Sequence, residues 1–124
     1  MEGALKLVFC VRRHPTLSVE DFQRYWLERH GPLVRSLWEA GDLPTMVRYV
    51  QSHTIQGEPT DQLVRSRGAS PPYDGITEVW MSGETPGERA EASRSAGARL
   101  LDDERQFIDL AASTLFLTRE HVIF

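Results

Sequence analysis

His30 follows Trp26 by four residues in the stretch Ser18–Trp38, SVEDFQRYWLERHGPLVRSLW, so on a helix the imidazole and the indole share one side. Phe22, Trp26, Leu33 and Leu37 recur at spacings of four or seven, with Tyr25 flanking, and draw an apolar stripe toward a core or pocket. Pro32 lacks the backbone donor that a continuing helix needs and is expected to kink or end the first segment near His30. A titratable ring at a broken helix, walled by an indole, suits proton transfer as a general acid or base. The same position equally suits a histidine that pins a kinked helix by bonding a freed carbonyl.

Tyr49, Gln51 and His53 alternate along a β-rich run and so share one strand face, with Val50 on the other. A row of three polar-tipped groups lines a polar cavity or a solvated sheet edge. Ile76, Glu78 and Trp80 share a face in the same way. Glu78 between two apolar residues is a carboxylate with a raised pKa or the ion-pair partner of an arginine such as Arg48, and the pair is the commoner cause. Cys10 in mid-strand reads as a buried, inert thiol. His14, His30, His53 and His121 have no ligand spacing, so no metal site is expected. No GxGxxG, P-loop or GxSxG pattern occurs, which leaves nucleotide binding and serine hydrolysis unsupported and favours chemistry by side chains without a cofactor.

The elements that must position these groups follow from pattern. Leu5 to Arg13 is a strand, and His14 to Leu17 a loop. Ser18 with Asp21 makes a capping-box-like start to a helix that runs to about Ala40, where Gly41 stops it. Met46 to His53 is the second strand and Ile76 to Met81 the third. Between them Gly57 to Asp74 is loop-like, with a turn of helix at Gln62 to Ser66; a connection this long suggests a lid or a mobile segment, and Thr54–Tyr73 is expected to be the least ordered part. Glu88 to Asp109 is helical, broken near Asp102-Asp103, and Thr114 to Thr118 is the fourth strand, with His121 to Phe124 extending it. The order β-α-β-β-α-β is an α+β, ferredoxin-like split βαβ arrangement: a four-stranded antiparallel sheet with two helices on one face. Its other face needs a cover, and a second copy of the same sheet supplies one, which predicts a homodimer joined through the sheet face.

With 124 residues the chain reads as a single domain, residues 1–124. Its net charge of −4 argues against a nucleic-acid partner. No apolar run is long enough to span a membrane, residues 1–11 lack a signal-peptide core, and the one cysteine excludes an internal disulfide framework, so a cytoplasmic location is expected.

The segments VRRHPTLSVEDFQRYWLERHGPLV, RYVQSH, YDGITEVW and LLDDERQFID, in this order, resemble the EthD-like family of the dimeric α+β barrel superfamily, over Leu5 to about Arg119. The resemblance implies a ferredoxin-like subunit whose sheet packs on a partner's sheet, and a small-molecule cavity in each subunit. Relatives in this superfamily include muconolactone isomerases, polyketide cyclases, dehydratases, decarboxylases and cofactor-free oxygenases, so the fold is better specified than the reaction. His30 matches the histidine of the family's helix signature, Tyr49, Gln51 and His53 its Y-x-Q-x-H strand, Asp74-Gly75 its turn, and Glu78 and Trp80 its acidic and aromatic positions. The stretch Thr54–Tyr73 is longer than the family pattern.

The favoured expectation is a cofactor-independent enzyme that moves protons on a small carbonyl-rich or aromatic, polyketide-like molecule, as an isomerase, cyclase, dehydratase or decarboxylase. His30 leads as acid or base, and Tyr49 or His53 stabilises or protonates the developing oxyanion. Phe9, Trp26 and Trp80 shape an apolar wall, with Gln51 and Glu78 as further substrate-binding groups. The alternatives are an oxygenase of the same fold, cofactor-free or haem-dependent, and a non-catalytic binding or accessory protein.

Overall fold

A computed structural model describes residues 5–124. Four strands, β1 (Leu5–Val11), β2 (Met46–His53), β3 (Gly75–Met81) and β4 (Thr114–Arg119), form one antiparallel sheet in the order β2-β3-β1-β4. This is the order that a ferredoxin-like α+β subunit requires, because each helical crossover skips one strand. Among the described residues no helix is long and apolar enough to cross a membrane.

The first crossover is one helical run in three parts: α1 (Val19–Tyr25), a single π-helical turn (Trp26–His30) and α2 (Gly31–Glu39). Ser18 caps it, its Oγ accepting from the Asp21 N–H at 3.1 Å. The break expected from Pro32 is this π turn. Proline falls in the first turn of α2, where a missing donor does no harm, and the widened turn precedes it. The Trp26 carbonyl accepts the Gly31 N–H and also the Gln51 side-chain amide at 2.8 Å, so a strand side chain holds the widened turn in place.

The second crossover is a 3₁₀ turn (Gly87–Arg89) and α4 (Ala90–Phe107). The break expected at Asp102-Asp103 does not occur. Asp102 faces solvent near Arg105, while Asp103 is held by partners on the first crossover, so neither carboxylate competes for the helix backbone. Two further boundaries differ. The long connection carries α3 (Thr60–Arg67), longer than the turn expected there, with none of its residues buried. His121–Phe124 does not extend β4.

One sheet face lies under the helices and carries Phe9, Val11, Gly75 and Val79, all buried. The other face carries Val8, Cys10, Val50, Ile76, Glu78, Trp80 and Phe116, and among the described residues no helix packs on it. Trp26, 1% exposed, lies flat against the covered face, stacked on His53 with ring centroids 4.3 Å apart. Gly75 makes that approach possible: a Cβ there would stand 2.4 Å from Trp26 Cζ3. Gly75→Ala is therefore expected to destabilise the fold by roughly 1–3 kcal/mol through overpacking. Denaturant unfolding followed by tryptophan fluorescence checks this, and an unchanged midpoint would show that the indole has room to move.

Candidate functional site

The buried apolar residues fall into two clusters. Phe9, Val11, Phe22, Trp26, Phe107 and Ile108 form one, and Val34, Leu37, Leu43, Ala96 and Leu100 the other. Between helices and sheet, walled by members of both, is a cavity of about 70 Å³. Leu7 and Phe9 of β1, Tyr49 of β2, and Thr77 and Val79 of β3 form its floor; Trp26, His30, Val34, Leu100 and Glu104 close it from the helices. An adjoining cleft of about 180 Å³, bordered by Arg35, Trp38 and Arg48, shares Met46 and Tyr49 with the cavity. Tyr49 thus has the cavity on one side and the cleft on the other.

His30 is 5% exposed and sits at the end of the π turn. Its Nδ1 lies 2.8 Å from Asp103 Oδ2, and Asp103 Oδ1 accepts from the Tyr25 hydroxyl at 2.6 Å. A carboxylate facing Nδ1 selects the tautomer with the proton on Nδ1 and leaves Nε2 with a free lone pair. No sealed side-chain nitrogen or oxygen among the described residues lacks a partner, so Nε2, which bonds to no protein group, opens on the cavity. Burial pulls the His30 pKa below its ordinary value, and Asp103 opposes this only in part. The ring is neutral at neutral pH, in the form that can accept a proton. Tyr25, held by burial first and then by its bond to Asp103, is pushed up to about 12 and stays protonated.

Tyr49, like Tyr25, is shifted upward. Burial raises its pKa, so its hydroxyl remains a donor. Gln51 Nε2 donates to that hydroxyl oxygen at 3.0 Å, and His53 Nε2 lies 2.8 Å from Gln51 Oε1. Gln51 thus orients Tyr49 and the π turn together, and its carbonyl selects an Nε2-protonated His53.

Of the residues singled out by sequence, the structure brings His30, Tyr49, Trp26 and Phe9 to one cavity. Gln51 and His53 lie directly behind it, in contact with Tyr49 and Trp26. Glu78 and Trp80 are on the opposite sheet face, away from this cavity. The expected Glu78–Arg48 pair is replaced by a Glu78–Lys6 pair at 2.7 Å, because Lys6 shares that sheet face from the neighbouring strand. Arg48 instead lies over the Trp80 ring, 4.8 Å from its centroid.

Sequence reasoning missed Asp103 and Glu104. The available signal was helical spacing: both stand three or four residues from Leu100 and Phe107, so both carboxylates point to the buried side of α4. Burial, and secondarily the charge of Asp103, push the Glu104 carboxyl up to about 7. The folded protein therefore holds this proton more tightly than the unfolded chain. The stability it contributes is complete below its ordinary 4.5 and is lost as pH rises through about 7. Glu104→Gln removes this dependence. Its melting temperature should gain on that of the wild type between about pH 5 and pH 8, as differential scanning calorimetry would show. A difference independent of pH would mean that Glu104 ionises normally in the fold.

Comparison with known proteins agrees with this architecture. The chain is similar to an EthD-like protein from Ralstonia eutropha JMP134 (18% identity, TM-score 0.55, covering 98% of this chain and 96% of that one). It is also similar to a dimeric ferredoxin-like protein of unknown function from Thermobifida fusca (12% identity, TM-score 0.54, covering 94% and 91%). A third similar structure is HapK from Hahella chejuensis (13% identity, TM-score 0.52, covering 97% and 94%). Among curated proteins none matches significantly. The model of the EthD domain matches residues 14–111, from the loop before α1 to just beyond α4, and the chain belongs to the EthD domain family.

Proposed function

We propose that this protein is a cofactor-independent enzyme that moves protons on a small carbonyl compound bound between the helices and the sheet. The observation that carries the reading is His30, its Nδ1 fixed by Asp103 at 2.8 Å, lining the same cavity as Tyr49. Nε2 removes a proton from the carbon next to a carbonyl. Tyr49 donates a hydrogen bond to the oxygen on which charge develops. Asp103 stabilises the imidazolium that forms, and the Tyr25 hydroxyl keeps Asp103 aligned. The lining around them is largely apolar, which strengthens both interactions by excluding water. Isomerisation, ring closure, dehydration and decarboxylation through an enol all share this first step. His53 acts here by positioning, through Gln51.

The subunit is proposed to work as a homodimer. Leu115, Phe116 and Leu117 on the β4 edge, and Val122, Ile123 and Phe124 beyond it, are all exposed large apolar side chains, and the uncovered sheet face adjoins them. A partner's equivalent surface covers such a patch economically. The similarity to a protein described as dimeric supports the same reading.

Two measurements check this function. Deuterium uptake at the α-carbons of small ketones, cyclohexanone first, is followed by NMR in D₂O with and without the protein. His30→Gln should slow the catalysed exchange by roughly 10²–10⁴-fold with the fold intact; full activity per folded molecule would remove His30 from the mechanism. Light scattering should give twice the mass of the chain, and Phe116→Glu should shift it toward the monomer. A wild-type monomer at micromolar concentration would contradict the dimer.

A further inference from the structure

The proposed proton transfer uses one proton acceptor and one hydrogen-bond donor, yet the cavity holds a third group that it leaves idle. Glu104 lies on α4 beside Asp103, and the two carboxylates have different neighbours. Both Asp103 oxygens are held by Tyr25 and His30. The Glu104 carboxyl forms no hydrogen bond or ion pair with the protein among the described residues, yet it lines the cavity, and no polar side-chain atom is sealed off without a partner. The carboxyl therefore keeps accessible surface and is free to bond a molecule that enters the cavity it lines. The groups that face it are His30 from the π turn, Tyr49 from β2 and Asp103 from its own helix; β1 and β3 contribute Leu7, Phe9, Thr77 and Val79, none of them charged.

We propose that Glu104 is a second catalytic residue, the acid that delivers a proton to the substrate after His30 has removed one, and that the substrate is a neutral unsaturated carbonyl compound. This deepens the proton-transfer function and rests on it. No lysine or arginine lines the cavity, so an anionic group buried there would be unpaired and the reacting end of the substrate is neutral; the rest of a ring-sized molecule extends past Tyr49 into the adjoining cleft. Near neutral pH a carboxyl held up to about 7 retains much of its proton while the lowered His30 is free of its own, so acid and base coexist in opposite states. On a β,γ-unsaturated ketone the step balances without a further reagent. The α C–H bond breaks and its proton goes to His30 Nε2. The electron pair enters the conjugated dienolate, whose oxygen accepts the Tyr49 hydrogen bond. The Glu104 O–H bond then breaks as a C–H bond forms at the γ carbon, leaving the conjugated enone. Water returns the proton from the His30 imidazolium to the Glu104 carboxylate.

The test uses cyclohex-3-enone, whose α-exchange and conjugation are separately visible by NMR in D₂O. The wild-type protein should accelerate both. Glu104→Gln should retain α-exchange, which shows that the fold and the His30 base survive, and should lose conjugation by roughly 10²–10³-fold, in the range of a single general acid. In the wild type, the ¹³C signal of the Glu104 carboxyl, assigned by its absence in the variant, should titrate near neutrality. Conjugation undiminished in Glu104→Gln overturns the proposal. So does a Glu104 signal that titrates in the ordinary carboxylate range, since a group ionised at neutral pH has no proton to deliver. Failure of the wild type to exchange α-hydrogens while His30→Gln matches it would instead overturn the underlying proton-transfer reading, and this proposal with it.

Discussion

Asp103 binds to two residues of the first crossover at once, and the placement of the cavity's chemistry follows from that. One oxygen takes the Tyr25 hydroxyl from the last turn of α1, and the other faces His30 at the end of the π turn. A carboxylate partly withdrawn from water needs such partners, because polar groups are costly to desolvate unbonded. Meeting that need fixes the distance between the two crossovers, the tautomer of His30 and the direction of its second nitrogen. The phenol, the carboxylate and the imidazole form one bonded unit that leaves the Nε2 lone pair of His30 free of protein partners among the described residues.

The sheet imposes a matching order from below. Gln51 joins the Trp26 carbonyl to the Tyr49 hydroxyl, so the widened turn and the phenol are located by the same amide. His53 fixes that amide and also stacks on the indole. These contacts explain why three alternating strand residues carry polar tips under a helix. One of them reaches the cavity, and the other two hold the first in position. A π turn stabilised by side chains in this way is the sort of local irregularity that recurs at functional sites.

Much of this was legible in the sequence because it rests on local rules. Alternation and capping located the strands and the start of α1, and the proline marked the irregularity beside His30. The opposing carboxylates were not legible for a physical reason. Acidic residues near the end of a helix usually face water, and only contacts between distant segments reveal that Asp103 and Glu104 turn inward toward Tyr25, His30 and Tyr49. Glu78 is in an ion pair, as its pattern suggested, but with a different cation and on the sheet face away from the cavity. Alternation correctly grouped it with Trp80, but which side of the sheet the helices cover, and which lysine lies on the adjacent strand, are properties of the assembled sheet.

The division of the interior into two clusters has a thermodynamic side. A space of about 70 Å³ between the clusters gives up packing contacts that a continuous core would make, and so costs stability. Whatever fills the gap recovers part of that deficit, so occupancy and resistance to unfolding rise together. Sequence changes that widened Val34 or Leu100 into the space would yield a sturdier molecule with no room for a guest. In this fold, the looseness of the interior is itself the capacity to bind.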